Sequence, residues 1–443
     1  MDVVNGASTT SRSPARTQTT TYAVAAFGNR FVTRRGQPVV DWQMGLYGPI
    51  YGYRPRFWTD ALHAVAHSGP ITSLPPVQEM ELAALLSRFY PGFEAVRFFL
   101  NGSDPCAAAV KLARAVTDRD PIIVYGYHGT ASAYAAPPTP FDPDDNRLGT
   151  LQAERDAYVP LPWLGLPPGG RAAFARAAAV IVECPPISDS DVGQTANWLS
   201  DIASAARAAG ALFILDEVVT GFRYCHGGAL AYYGLHGKVD LLCLGKTLGN
   251  GTPISALLGR SEIMSWLAQA PDGGRVHWSN TFNAEPLGLV SALAFLNRLL
   301  DDTADAPPGK SSLPGVPPNT PAFPELRYAP ESYNLAPDER NPYRKMYVLG
   351  SRLIHTWPPD LPWRLRGHPT RPVLVTEEDR APGGPLFSLW RQAMLRRGHF
   401  VVAHPWYVTA ATSEADVESV TEAAALSWRE VSSRFASLEV RAQ

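Results

Sequence analysis

Cysteine is scarce in this chain of 443 residues: there are four, Cys106, Cys184, Cys225 and Cys243, scattered and without the spacing of a metal-binding set. That argues against a disulfide framework or a cysteine-based zinc module and suits a reducing compartment such as the cytoplasm. Charge of one sign is lacking too. Lys and Arg number 39 against 41 Asp and Glu, a formal net charge of -2, so nothing electrostatic calls for nucleic acid or an anionic membrane as a partner. No apolar stretch approaches the ~20 residues of a membrane span. The amino terminus carries Asp2 and a Ser/Thr-rich tract through about Thr21 without an apolar core, and reads as a disordered tail of residues 1–21 rather than a secretory signal.

What is present is enough apolar material for a large core, 45% of the residues, in a chain long enough for two domains. The apolar runs Ala211–Leu215 and Asp240–Leu244 lie between glycines and charges and read as strands buried on both faces of a parallel sheet. Asp216 follows the first, in Asp-Glu-Val-Val-Thr-Gly-Phe-Arg. Lys246 follows the second, in Gly-Lys-Thr-Leu-Gly-Asn-Gly. Ligands of such sheets bind at the carboxyl ends of the strands, so a carboxylate and an amine are delivered to one place. Pyridoxal phosphate asks for this pair: its aldehyde needs a lysine for a Schiff base, and its ring nitrogen needs an acidic partner to stay a pyridinium. Gly245-Lys246-Thr247 also ends like a Walker A phosphate loop. That loop requires a glycine where this chain has Asp240, which disfavours a nucleotide triphosphatase.

The stretches Phe213–Arg223 and Asp240–Ala256 together resemble the signature of the class III aminotransferases, which are fold-type-I pyridoxal phosphate enzymes, and within them the glutamate-1-semialdehyde aminomutase branch. The resemblance implies an α/β fold: a large domain with a mostly parallel, seven-stranded sheet flanked by helices, and a small α+β domain. It implies Lys246 as the Schiff-base lysine, Asp216 as the partner of the ring nitrogen and Val218 beside the cofactor. In Asn101-Gly-Ser-Asp-Pro-Cys106, between the strand Ala95–Leu100 and the helix Ala107–Val116, it implies a phosphate site involving Gly102, Ser103 and Asp104. Ser103 or Asp104 is also a good N-cap, Pro105 fits the first helical position, and a helix so begun offers N–H groups to an anion. The family's commoner text there is Asn-Ser-Gly-Thr-Glu. An aspartate beside a phosphate dianion repels it, so Asp104 is expected as a cap or backbone contact.

Gly126-Tyr127-His128-Gly129 matches the aromatic turn in which Tyr127 stacks on the cofactor ring and His128 stands near it. Thr281 matches the threonine that reaches the phosphate of a neighbouring subunit, which implies a homodimer with a shared active site. Glu183, at the end of the strand Ala177–Val182, has a counterpart near the cofactor. Tyr47 falls in the family's entrance loop. Trp406 and Tyr407 fall in a loop, residues 403–408, that looks shorter than in the aminomutases and lacks their gate glutamate, so Tyr47 and Trp406 are candidates for an aromatic substrate pocket. No metal is called for.

The expected organisation is a small domain from 22–72 and 342–443, a large cofactor domain from 73–300, and a proline-rich insertion over 301–341. Phe31–Trp42 reads as a hairpin, Tyr343–Thr356 and Leu386–Arg397 as helices, Pro372–Thr376 as a strand. Ser413 with Asp416 forms a near capping box at the last helix. The implied activity is transfer of an amino group from an amino donor to a small ketone or aldehyde acceptor, in specialised biosynthesis in the cytoplasm. An aminomutase, a racemase or decarboxylase on the same scaffold, and a non-catalytic homologue remain open.

Overall fold

The structure, a computed structural model, describes residues 7–8, 12–17, 19–69, 73–130, 148–184, 192–303, 341–377, 382–403 and 405–442. Apart from its ends, the proline-rich insertion lies outside the described residues, as does most of the amino-terminal tail, of which Pro14–Thr17 forms one helical turn. The chain divides into two compact units, Met1–Pro55 with Tyr328–Gln443, and Arg56–Arg327. The first boundary falls at Pro55 rather than at residue 72. The amphipathic helix α1 (Arg56–Ser68) packs along α6 (Pro286–Thr303) and so belongs with the second unit.

The second unit is built on one sheet of seven strands. In chain order they are β1 (Ala95–Phe99), β2 (Ile122–Tyr125), β3 (Tyr158–Pro160), β4 (Ala179–Glu183), β5 (Leu212–Glu217), β6 (Leu241–Leu244) and β7 (Ser255–Gly259). Their order across the sheet is β1-β7-β6-β5-β4-β2-β3. All neighbours are parallel except at β7, which runs against both β1 and β6. Strands β5, β6 and β7 are buried along their whole length and β4 to its last residue, as unbroken apolar runs demand. Helices cover the sheet, among them α2 (Gln78–Phe89), α3 (Ser103–Thr117), α4 (Val192–Ala208) and α5 (Gly228–Tyr232). Buried Ala107, Ala108, Ala109 and Ala113 let α3 lie close over the sheet, where Cys106 joins Ile181, Ile214 and Cys243 in one core.

Topology places a crevice at one end of this sheet. From β2 the chain steps outward to β3, then returns to β4 and proceeds the other way to β5 and β6. The turns after β2 and β4 therefore part in opposite directions at the carboxyl edge, where α/β sheets hold their ligands.

The first unit contains a four-stranded sheet of Ala23–Phe27, Arg30–Thr33, Pro38–Asp41 and His399–Phe400, and a two-stranded one of Arg364–Arg366 and Val373–Val375. The hairpin read at 31–42 is there, as are the helices Pro342–Thr356 and Gly384–Arg396. The capping box also forms: Asp416 Oδ2 accepts from the Ser413 N–H at 2.9 Å, and Ser413 Oγ accepts from the Asp416 N–H at 3.2 Å, at the start of Glu414–Ala442. The core of this unit is aromatic, with Trp363, Phe387 and Trp390 in mutual ring contact and Trp428 against Trp363.

Candidate active site

Asp216 ends up buried at the carboxyl end of β5, where its two oxygens are clamped by three donors. Oδ2 accepts from His128 Nδ1 at 2.7 Å and from the Cys106 thiol at 3.3 Å, and Oδ1 accepts from the Val218 N–H at 2.9 Å. The other ring nitrogen of His128, Nε2, faces the Tyr125 carbonyl at 3.0 Å. Both nitrogens thus meet acceptors and both carry protons. Burial alone depresses the basicity of His128, but the hydrogen bond to the Asp216 carboxylate and its charge outweigh it and push the pKa up to about 10. Burial holds the Cys106 thiol well above its ordinary value, so it stays a donor. A carboxylate offers about four lone-pair directions, and three are taken. One is left for a further N–H.

Cys106, His128 and Asp216 are also groups of the kind that bind zinc, with candidate ligand atoms within 4.8 Å of one another. A metal-bound imidazole needs a lone pair directed at the metal, whereas both ring nitrogens of His128 face oxygen acceptors, Asp216 Oδ2 and the Tyr125 carbonyl. The cluster is therefore an ion pair with a thiol donor.

Lys246 opens a turn of 3-10 helix (Lys246–Gly249) just beyond β6, half-buried and with φ of 43°. That left-handed conformation costs a side-chain-bearing residue about 1–2 kcal/mol and is the kind of strain that collects at functional sites. Because Leu244 is the register partner of Glu217, the Asp216–Val218 and Gly245–Lys246 turns leave adjacent parallel strands at one level. Val218 fills the space between two further loops. A Cβ on Gly102 would stand 2.6 Å from Val218 Cγ1, and one on Gly245 would stand 3.2 Å from it. Glycine at 102 is what lets the turn after β1 reach the turn after β5.

The loop before α3 departs from the expected capping. Neither Ser103 nor Asp104 is the cap. Asn101 Oδ1 accepts from the Ser103 N–H at 2.9 Å and the Asp104 N–H at 3.3 Å, while Asn101 Nδ2 donates to Asp104 Oδ2 at 2.9 Å. Asp104 lies in the first helical turn, its pKa raised by partial burial against the opposing bond from Asn101. Ser103 Oγ accepts from the Thr130 N–H at 3.2 Å, and Gly129 packs so tightly on Ser103 that a Cβ there would lie 2.3 Å from Oγ. Glu183, at the tip of β4, accepts from the Tyr127 N–H at 3.2 Å, and Gly126, at φ of 96°, passes close to the Glu183 side chain. The Tyr127 ring is half exposed, as a stacking surface must be.

The turns after β1, β2, β5 and β6 thus bring Gly102, Ser103, Asp104, Tyr127, His128, Asp216, Val218 and Lys246 to one edge of the sheet. A flat, acceptor-seeking ring nitrogen fits the remaining direction at Asp216. Toward the phosphate end, the Gly102 backbone and the Ser103 hydroxyl are the groups that could hold it, since Asn101 Oδ1 already takes the Ser103 and Asp104 N–H groups and the Asp104 carboxylate lies beside them.

Thr281 sits on an exposed turn before α6, whose first N–H groups are capped by Glu285, with Oε2 3.0 Å from Leu287 N and Oε1 2.5 Å from Gly288 N. In the first unit, the Tyr47 ring lies 4.5 Å from that of Tyr407. Trp406, expected at a pocket, is enclosed instead: its ring packs on Trp42 at 5.6 Å and Trp357 at 5.4 Å, and its N–H donates to the Val402 carbonyl at 2.9 Å. The sequence reading missed the Cys106 donor and the Val218 wedge. The glycines at 102 and 245 were the visible trace of the latter.

Residues 171–306 match the family model "Aminotransferase class-III". Curated relatives include glutamate-1-semialdehyde 2,1-aminomutases of Desulforudis audaxviator, 32% identical over 62% of this chain and 62% of that protein, and of Desulforamulus reducens, 30% identical over 63% of this chain and 65% of that protein. The chain spans less than two thirds of the length of these relatives. Among solved structures, an omega-transaminase from Sphaerobacter thermophilus superposes with a TM-score of 0.71 at 22% identity, covering 93% of this chain and 91% of that one. A glutamate-1-semialdehyde aminomutase from Pseudomonas aeruginosa PAO1 gives 0.68 at 20% identity, with 93% and 88% covered. The fold is that of these transaminases, fold type I.

Proposed function

Starting from the resemblance of this chain to the class-III aminotransferases, we propose that it is a pyridoxal-phosphate-dependent aminotransferase, moving an amino group between an amino donor and a small ketone or aldehyde acceptor. The observation that carries this reading is the clamp on Asp216, with one acceptor direction left beside the turn that delivers Lys246. When bound, pyridoxal phosphate supplies an aldehyde that takes up amines and a ring that draws electrons from the substrate carbon. Asp216 accepts the ring N–H and keeps its negative charge next to it. His128 holds that carboxylate in place from the side away from solvent, its second proton tied to Tyr125. Lys246 would hold the aldehyde of the cofactor, and its amine would move a proton at the substrate alpha carbon. Tyr127 covers a ring face and excludes water. The Gly102 backbone and the Ser103 hydroxyl would receive the phosphate; the Ser103 and Asp104 N–H groups are held by Asn101 Oδ1, and the Asp104 carboxylate weakens that grip.

By its resemblance to the family's threonine, Thr281, which is exposed on its turn, would meet the phosphate at the site of a second copy in a homodimer. The four cysteines are buried thiols, and among the described residues no helix is long and apolar enough to cross a membrane; both support a place in the cytoplasm. An aminomutase is the second reading, favoured by the names of the curated relatives. The test is the visible absorption of the purified protein loaded with pyridoxal phosphate. Bleaching by one amine and recolouring by a keto acid or aldehyde identifies a transaminase and its donor. Turnover of a single amino aldehyde without a second partner identifies the aminomutase, and a protein that takes up no colour ends both readings.

A further inference from the structure

We propose that Cys106 is a positioning residue that tempers the acceptor strength of Asp216 through its thiol hydrogen bond, and so sets how strongly the carboxylate holds the ring nitrogen of the cofactor. This rests on the reading of Asp216 given under Proposed function.

Three features carry it. Cys106 is completely buried, in the first turn of α3, and its sulfur lies 3.3 Å from Asp216 Oδ2. That oxygen already receives His128 Nδ1 at 2.7 Å, so the thiol is a second side-chain donor on one oxygen. Among its helix neighbours in the same core, Ala107, Ala108 and Ala109, Cys106 is the one whose side chain carries a hydrogen-bond donor. A thiol is a weak donor, a hydroxyl a stronger one and a methyl none. Every donor added to a carboxylate spreads its charge and leaves less for the next partner. The thiol is kept protonated by its burial, which suits a donor and not a nucleophile.

The experiment uses the full chain loaded with pyridoxal phosphate labelled at its ring nitrogen, read by nitrogen NMR in the native protein, Cys106→Ala and Cys106→Ser. The expected order places the ring nitrogen of Cys106→Ala furthest toward the protonated shift, the native protein between, and Cys106→Ser furthest from it. Each step corresponds to about a two- to fivefold change in the protonation equilibrium. Thermal melting separates this from packing, because a purely structural role lowers stability in both variants without ordering the shifts. Coincident shifts in all three proteins, or displacement of both variants in the same direction, overturn the proposal while the cofactor reading stands. A native protein that binds no labelled cofactor overturns both. Should Cys106→Ala not fold, the near-isosteric Cys106→Ser alone decides: a displacement away from the protonated shift supports the proposal, and no displacement or the opposite one refutes it.

Discussion

The sheet edge around Asp216 and the tryptophan core of the other unit are both buried, yet they satisfy their polar atoms in opposite ways. In the core, three indole N–H groups find backbone carbonyls: Trp357 that of Trp363 at 2.8 Å, Trp390 that of Ala424 at 3.1 Å, Trp406 that of Val402 at 2.9 Å. Each bond closes locally, and the rings then pack as hydrocarbon. At the sheet edge, the donors converge on one carboxylate and leave it an acceptor direction to spare. Burial that ends in closed pairs builds stability, whereas burial that leaves one direction open prepares a site.

Substitutions can break this contrast, and the largest effect is expected at the carboxylate. Asp216→Asn keeps shape but removes the charge, and should lower turnover by about 10²–10³ and, because it unpairs the buried His128, also lower the melting temperature. Activity measured per folded, cofactor-loaded molecule checks it; native turnover in that fraction would mean that Asp216 is only structural. Trp390→Ala should do the reverse, destabilising its unit by about 3–5 kcal/mol in denaturant titration while the visible band of whatever remains folded is unchanged.

Gly102→Ala tests the glycine-limited approach to Val218. Its Cβ would stand 2.6 Å from Val218 Cγ1, and the misfit should cost about 1–3 kcal/mol. Trimming the neighbour in Gly102→Ala/Val218→Ala should return most of that loss. A double mutant no better than the sum of its singles would deny the contact.

The last effect is on pH dependence. His128 has a folded pKa of about 10 against an ordinary value near 6.5, so the stability it adds is complete below about pH 6.5 and lost as pH rises through 10. His226, lowered by burial to about 4, adds stability above about pH 6.5 that is lost as pH falls through 4. His128→Asn should therefore flatten the alkaline limb of a stability-pH profile and leave the acid limb alone. An unchanged alkaline limb would mean that the ion pair with Asp216 does not form.

The parts of this arrangement differ in how legible they are in the sequence, and the reason is range. The strands carrying Asp216 and Lys246 stand out because burial on both faces leaves uninterrupted apolar runs, and the structure moves their ends by only a residue or two: 211–215 became Leu212–Glu217, and 240–244 became Leu241–Leu244. The Ser413/Asp416 box was visible because its partners are three residues apart. The Asn101 cap was assigned to its neighbours, since Asn, Ser and Asp can all cap and only backbone geometry chooses among them. The Cys106–Asp216 bond could not be read at all: its partners lie 110 residues apart, and an isolated cysteine in a helix of alanines looks like packing. Trp406 misled for the same reason, because a loop tryptophan in the sequence does not disclose which side of the chain is inside.

The most direct test of the central claim is to load the protein with pyridoxal phosphate, reduce it with borohydride and locate the adduct by peptide mass spectrometry. The account requires the pyridoxyl group on Lys246, and its absence from that peptide in Lys246→Ala. An adduct on another lysine as the main product, or none with the native protein, would contradict it.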